Sequence, residues 1–411
     1  MNTYSVIILI TLLAEYFLSL VADLLNVGTL GKGIPTEFEG VIDSEAYRKS
    51  QSYTRARTNF GILVSTLSLF ATLVFWFSGG FNWLDTIVRS WQLGMLWTGL
   101  LYIGVLVFAR SILSLPFSIY STFVIEERFG FNKTTHKIFI ADLLKALLLG
   151  VILGGPLLLG VLAFFEYAES LAWLYCWMVA TMFMLIVQFI APTWIMPLFN
   201  KFTPLEDGDL KSAILSYASS VKFSLKEVFV MDGSKRSNKT NAFFTGFGKN
   251  KRIALFDTLI QQHTIPELVA VLAHEIGHYK KKHIIQGIVI SILHMGMMLY
   301  LLSMFVSERG LFDAFYTEHT SVYAGMIFFG MLFTPIEFIL SLFMNILSRK
   351  NEFEADRYSA ETYKQPQAMI DTLKKLSVHN FSHLTPYPVY VKLNYSHPPV
   401  LERIRALNHY L

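Results

Sequence analysis

Within the 411-residue chain, the pentapeptide His274-Glu275-Ile276-Gly277-His278 holds the residue types best suited to chemistry. On a helix, residues four apart share one face about one turn apart, so both imidazoles can reach a single zinc ion. Glu275 follows the first histidine and points to the open side of such a metal. There it can take a proton from a water and later deliver it to a leaving amine. A catalytic zinc takes three protein ligands and keeps one position open, so two histidines leave one place to fill. The stretch Asn351-Glu352-Phe353-Glu354-Ala355-Asp356 offers Glu352 for it. Asp356, one turn later, is placed to accept a hydrogen bond from the outer nitrogen of a ligand histidine and fix its tautomer. A lone H-E-x-x-H can be a chance match, and an E-x-x-x-D spacing also suits a solvated charged face. The surrounding elements decide between these readings.

Those elements belong to a membrane protein. The chain is 53% hydrophobic, 15% aromatic and only 16% charged, with a mean hydropathy of +0.46. Ordinary soluble domains carry about 25% charged residues, and this chain cannot coat the surface of two or three such domains. The aromatic content also excludes disorder and collagen-like repeats. The single cysteine, Cys176, excludes an internal disulfide and a cysteine-built metal site. A net charge of +4 is too small to argue for a nucleic-acid partner.

A crossing helix needs about 20 apolar residues. Seven segments qualify, at 4–27, 59–82, 92–124, 142–165, 171–198, 284–306 and 321–347. The first lacks a basic flank and is read as a retained span rather than a signal peptide. The third is long enough to need tilt or a kink at Pro116. Segments on one side of this topology hold only Arg89 and Arg309, whereas the first on the other side already holds Lys32, Arg48, Lys49, Arg55 and Arg57. The positive-inside rule then puts the N-terminus outside and the large polar segments in the cytoplasm.

Four sections result: 1–199 with spans 1–5, 200–283 as a polar segment carrying HEIGH, 284–347 with spans 6–7, and 348–411 as a polar C-terminal segment carrying Glu352. Within the second, Glu227–Asp232 reads as a strand, and Asn241–Phe247 with Arg252–Asp257 as a hairpin turning at Gly248–Lys251. From Pro266 the sequence reads as a helix that carries HEIGH and runs into the sixth span. HEIGH just precedes span 6 and Glu352 just follows span 7, so two crossings return both to one membrane face. His278 stands six residues before the apolar run at Ile284, or about 9 Å along a helix, so the metal must lie close to that face.

Six blocks in order, LPFSIYSTFVIEERFGFNKTT (115–135), PLFNKFTPLEDGDLK (197–211), TNAFFTGFGKNKRIALFDTL (240–259), the HEIGH helix, NEFEAD (351–356) and YSHPPVLERI (395–404), make the chain resemble the type I CAAX prenyl proteases. The resemblance implies a mainly α, polytopic membrane protein: seven transmembrane helices forming a barrel around a water-filled chamber, capped by a cytoplasmic zinc metalloprotease domain with a small β-sheet. It implies one Zn2+ per chain, held by His274, His278 and Glu352. It also gives His397 of the S-H-P-P block the role of oxyanion stabiliser, and Arg403 that of bracing the site. Read without the resemblance, His397 is a loop histidine beside two prolines. The strand starting Asn241-Ala242-Phe243 fits substrate binding, since an extended peptide can add to a sheet edge. Asn241 resembles the family asparagine beside the scissile bond; the alternative is a turn residue leading into a strand.

Glu15, Asp23, Arg110, Lys145, His294 and Glu337 fall in or near the apolar runs. Such groups usually face a cavity or a partner. A hydrated chamber would hold them without special pairing, and Asp23 and Lys145 can also snorkel to the interface. The activity expected is a zinc endopeptidase acting on peptide or protein substrates that are prenylated or membrane-associated, within a lipid bilayer. One alternative is a quality-control protease with no prenyl requirement; the other is a seven-span transporter or receptor, which leaves the ligand set unexplained. No ER-retrieval signal is evident at Asn408–Leu411, which points to a bacterial inner membrane, with the active site facing the cytoplasm.

Overall fold

The computed structural model describes residues 1–225, 227–245 and 252–411, and the side chains of all of these except 243–245 and 252. Among them, seven helices are long and apolar enough to cross a membrane: Thr3–Gly28, Ser44–Phe77, Met95–Glu126, His136–Tyr167, Glu169–Leu198, His283–Phe305 and Val322–Tyr363. Each packs on the next in sequence, and the seventh closes on the first, which makes a ring. At most 17% of the most apolar window of any span is buried within the protein. A solid seven-helix bundle would bury far more, so the ring is hollow, with lipid-facing and cavity-facing surfaces.

Apolarity marks where a chain meets lipid, and helices outrun it. The second span begins at Ser44 rather than near 59, because the polar run after Asp43 is itself helical and Asp43 caps it, accepting from the Ala46 amide at 2.7 Å. It also ends earlier than expected. Gly79, at φ 74°, turns the chain into a further helix, Gly80–Ser90, where the sequence reading had only a connection. That helix buries Phe81, Leu84 and Val88 against Phe312, Phe315 and Phe328 at the end of the ring opposite the long polar segments. In the same cap, Asp85 is 1% exposed and takes hydrogen bonds from Arg89 Nε at 2.7 Å and from Tyr323 Oη. The Tyr102 and Tyr323 rings, 5.1 Å apart, bring spans 3 and 7 together there and close that end. Removing one partner of a buried ionic cluster strands the others, so Asp85→Ala is expected to cost about 3 kcal/mol in denaturant unfolding of the detergent-solubilised protein. Asp85→Asn should cost less, because its amide keeps the tyrosine bond.

The third span carries Pro116 inside its helical part and then winds into a π-turn at Ser121–Glu126, so the kink has two causes. The intramembrane charges depart from the expectation of unpaired solvation. His294 Nε2 stands 2.9 Å from Glu337 Oε2 across spans 6 and 7, and Lys145 Nζ donates to the Leu198 carbonyl at 2.7 Å. Glu15 and Arg110 are exposed.

Outside the ring lies a four-stranded sheet in the order β1-β2-β4-β3, made of β1 (Phe202–Pro204), β2 (Val228–Met231), β3 (Ala242–Thr245) and β4 (Arg252–Phe256). The expected hairpin is the antiparallel β3–β4 pair, with Ala242 opposite Leu255; its turn and Phe247 lie outside the described residues. β1 is too short and too polar to have been visible. One apolar core joins this sheet to the HEIGH helix through Ile253, Leu255, Leu268 and Leu272. A second packs Phe38 and Ile42, before the second span, and Tyr47, in its first turn, against Ala270, Leu373 and Leu407. The body outside the ring is thus built from three stretches far apart in sequence.

Candidate metal centre

The helix bearing the two histidines is Ile265–Lys280. A capping box starts it: the Thr264 amide donates to Glu267 Oε2 at 3.0 Å while the Thr264 side chain receives an amide of the first turn. It does not run into the sixth span. Lys282 adopts a left-handed backbone at φ 62°, and a separate helix starts at His283. The consecutive lysines 280–282 read as good helix formers, and nothing local in them signals the break.

Glu352 and Asp356 stand where Val322–Tyr363 continues unbroken past its apolar part. The two helices can meet because of Gly277. A Cβ there would lie 3.1 Å from the Ala355 Cα, tighter than the packing tolerates, so glycine lets the backbones approach. Ser359 Oγ clamps the pair by donating to the Ala270 carbonyl at 3.0 Å.

The approach brings His274, His278 and Glu352 together, with one ligand atom of each within 4.8 Å of the others. His274 Nε2 and His278 Nε2 are 3.1 Å apart. Glu352 places Oε2 3.5 Å from the first and Oε1 3.4 Å from the second. Four-coordinate zinc, with bonds of about 2.0–2.1 Å, separates its ligand atoms by about 3.3 Å, so the spacing fits a shared ion. The chemistry of the donors agrees: Glu352 Oε2 is buried with no hydrogen-bond partner, a costly state that a cation relieves. Burial disfavours the His274 imidazolium, but the Asp356 and Glu352 carboxylates outweigh it and push its pKa up to about 9. The site attracts positive charge.

The other expected residues surround this group. Asp356 Oδ1 lies 2.9 Å from His274 Nδ1. Arg403 grips Asp356 with two parallel bonds, Nε to Oδ2 at 2.7 Å and Nη2 to Oδ1 at 2.6 Å, and sets Nη1 3.5 Å from Glu352 Oε2. His397 reaches the metal group from the solvent side, its Nε2 3.3 Å from Glu352 Oε1 and its side chain 65% exposed. Glu275 is half-buried and lines a cavity of about 330 Å³ with His278, His283 and Met344. On the other side, a cavity of about 760 Å³ runs from His397 and Arg403 to Asp23, Tyr53 and Arg57 of the first two spans. The site therefore sits between two spaces at the mouth of the ring.

β3 is one of the two edge strands of the sheet, paired with β4 alone among the described residues, and packs near the histidine helix. Asn241 Oδ1 accepts from the amide of Ala242 at 2.9 Å, the local bond of a residue turning into a strand, while its carbonyl accepts from Phe256 N at 3.2 Å. Ala242 is half-buried, and Phe243 follows it in the strand. Sequence reasoning missed His283 and Glu354, which join His278 in a chain of contacts. The signal was present in His283, a third histidine five residues beyond HEIGH, but in an unbroken helix it would face elsewhere.

Residues 23–201 match the CAAX prenyl protease N-terminal family, five membrane helices, and residues 204–411 match peptidase family M48. The chain is 37% identical to CAAX prenyl protease 1 of Saccharomyces cerevisiae, over 92% of this chain and 88% of that protein. It is 37% identical to the CAAX prenyl protease 1 homolog of Arabidopsis thaliana, over 91% and 90% of the two chains. Its fold superposes on the crystal structure of S. mikatae Ste24p with a TM-score of 0.93 at 33% identity, covering 99% of this chain and 100% of that one. Ring, sheet and histidine–glutamate cluster thus accompany a match that spans nearly the whole chain, and the protein belongs to the type I CAAX prenyl protease family of membrane-embedded M48 metalloproteases.

Proposed function

We propose that this protein is a zinc endopeptidase that removes C-terminal residues from prenylated CAAX-type substrates at the cytoplasmic face of its membrane. The observation that carries the reading is the convergence of His274, His278 and Glu352 at the mouth of the hollow ring. Zinc held by these three supplies Lewis acidity toward a water and the peptide carbonyl. Glu275 takes the proton of the attacking water and passes it to the departing nitrogen. His397 donates to the carbonyl oxygen as negative charge develops on it. Asp356 holds His274 in the tautomer whose Nε2 lone pair is available, and Arg403 fixes the Asp356 and Glu352 carboxylates in place.

The substrate backbone pairs with the open edge of β3, at Asn241, Ala242 and Phe243, in the extended form that a protease needs. Segments 200–283 and 348–411 act as one catalytic unit, with 1–199 and 284–347 forming the ring. The lipid group enters the hollow ring, and the relatives' name, CAAX prenyl protease 1, supports this substrate class. The basic segment from Lys32 to Arg57 supports a cytoplasmic site. The curated relatives named above are eukaryotic, which favours the endoplasmic reticulum over a bacterial inner membrane.

Edge pairing reads backbone rather than side chains, which also favours a broader quality-control role. Matched farnesylated and unmodified peptides, incubated with the purified protein and followed by mass spectrometry, separate the two. Processing of prenylated substrates predicts at least a tenfold higher kcat/KM for the farnesylated peptide; equal cleavage of both would sink the prenyl requirement and leave the protease.

A further inference from the structure

The two metal-facing histidines are oriented by different devices. His274 turns its outer nitrogen to Asp356. His278 turns its outer nitrogen to another histidine: His278 Nδ1 and His283 Nδ1 are 3.0 Å apart, and His283 Nε2 lies 3.2 Å from Glu354 Oε2. The two rings meet nearly edge to face, with centroids 5.1 Å apart, and His283 is 9% exposed. In a continuous helix, residues five apart would point about 140° away from each other. The left-handed backbone at Lys282 folds the chain so that they meet.

One arrangement of protons satisfies all three contacts. His278 must keep the Nε2 lone pair for the metal, so its proton is on Nδ1 and is donated to His283 Nδ1. His283 then carries its own proton on Nε2 and donates it to the Glu354 carboxylate. Glu354 is half-exposed and also stands 3.8 Å from Lys350, so the chain of contacts ends at the surface.

We infer that His283, backed by Glu354, is a positioning residue for the metal: it holds His278 in the tautomer and ring orientation that present Nε2 to the ion. The inference rests on the metal set proposed above. A histidine in this place, in series with a carboxylate, does for His278 what Asp356 does for His274.

The test is Zn2+ affinity of the full-length, detergent-purified protein, read by competition with a chromophoric chelator, with the absorption spectrum of the Co2+-loaded protein as a second readout. Wild type is compared with His278→Ala, His283→Leu and His283→Asn. His283→Leu is expected to weaken zinc binding about 10–100-fold and shift the Co2+ bands. His283→Asn, whose amide oxygen can accept where Nδ1 did, should stay within a few-fold of wild type. Equal losses in Leu and Asn variants would mean a packing role and overturn the inference. Wild-type affinity in His283→Leu, with zinc lost in His278→Ala, would overturn it while leaving the metal set intact; zinc retained by His278→Ala would overturn the metal set itself. Should His283→Leu fail to fold, Glu354→Leu against Glu354→Gln asks the same question from the exposed end. Several-fold weaker binding in the leucine variant alone supports the inference, and no difference from wild type in either contradicts it.

Discussion

Glu275→Gln is expected to reduce peptide cleavage by about 10³–10⁴-fold in kcat while leaving zinc bound at one ion per chain. The amide nearly matches the carboxylate in shape, so the helix and the His274–His278–Glu352 group should be undisturbed. What is lost is the ability to accept a proton. Glu275 lies one residue from His274 and lines the cavity that also touches His278, so it is placed to serve a water there without being a ligand itself. KM should change little, because nothing in the account makes Glu275 a binding contact. Cleavage of a peptide substrate by mass spectrometry, beside zinc content, measures both. Activity within tenfold of wild type would remove Glu275 from the mechanism.

The second large effect is structural in origin and functional in consequence. Arg403→Leu should destabilise the protease body by about 3–5 kcal/mol and abolish activity, although Arg403 touches no reacting atom. Arg403 is 9% exposed, and it neutralises two buried carboxylates, Asp356 at 2% exposure and Glu352 at 5%. Without the guanidinium, both are left in a poorly solvated pocket with His274, His278 and His397 beside them. Added zinc should return part of the stability, because the ion binds the native state and supplies the missing positive charge. Thermal unfolding in detergent, with and without zinc, checks this. A Tm unchanged from wild type in the metal-free protein would contradict the assigned electrostatics. Arg403→Lys should fall between, since a lysine supplies the charge but cannot make the parallel bonds to Asp356.

The convergence of His274, His278 and Glu352 was legible in the sequence because their spacing is set by helix geometry. His274 and His278 share a face at four residues, and Glu352 and Asp356 do the same on another helix. That the two helices reach the same membrane face followed from counting crossings, and Gly277 shows how closely they approach. The spans were legible in number and approximate place, since hydrocarbon thickness imposes their apolar length. Their ends were not, because helices such as Ser44–Phe77 and Val322–Tyr363 continue through polar residues that hydropathy does not register. The break at Lys282 escaped notice for a related reason: three lysines favour a helix locally, and tertiary packing overrides them. With the break went His283, whose approach to His278 depends on it. Pairings such as His294 with Glu337 join residues 43 positions apart on different spans, and no local pattern announces them.

The central claim is that one zinc ion is held by His274, His278 and Glu352. Anomalous scattering at the zinc edge, from crystals of the full-length protein, tests it most directly. The account predicts a single peak about 2.0–2.2 Å from His274 Nε2, His278 Nε2 and a Glu352 oxygen, with Glu275 outside the coordination shell. A peak that leaves Glu352 uncoordinated, or that takes Glu275 as a ligand, would contradict it.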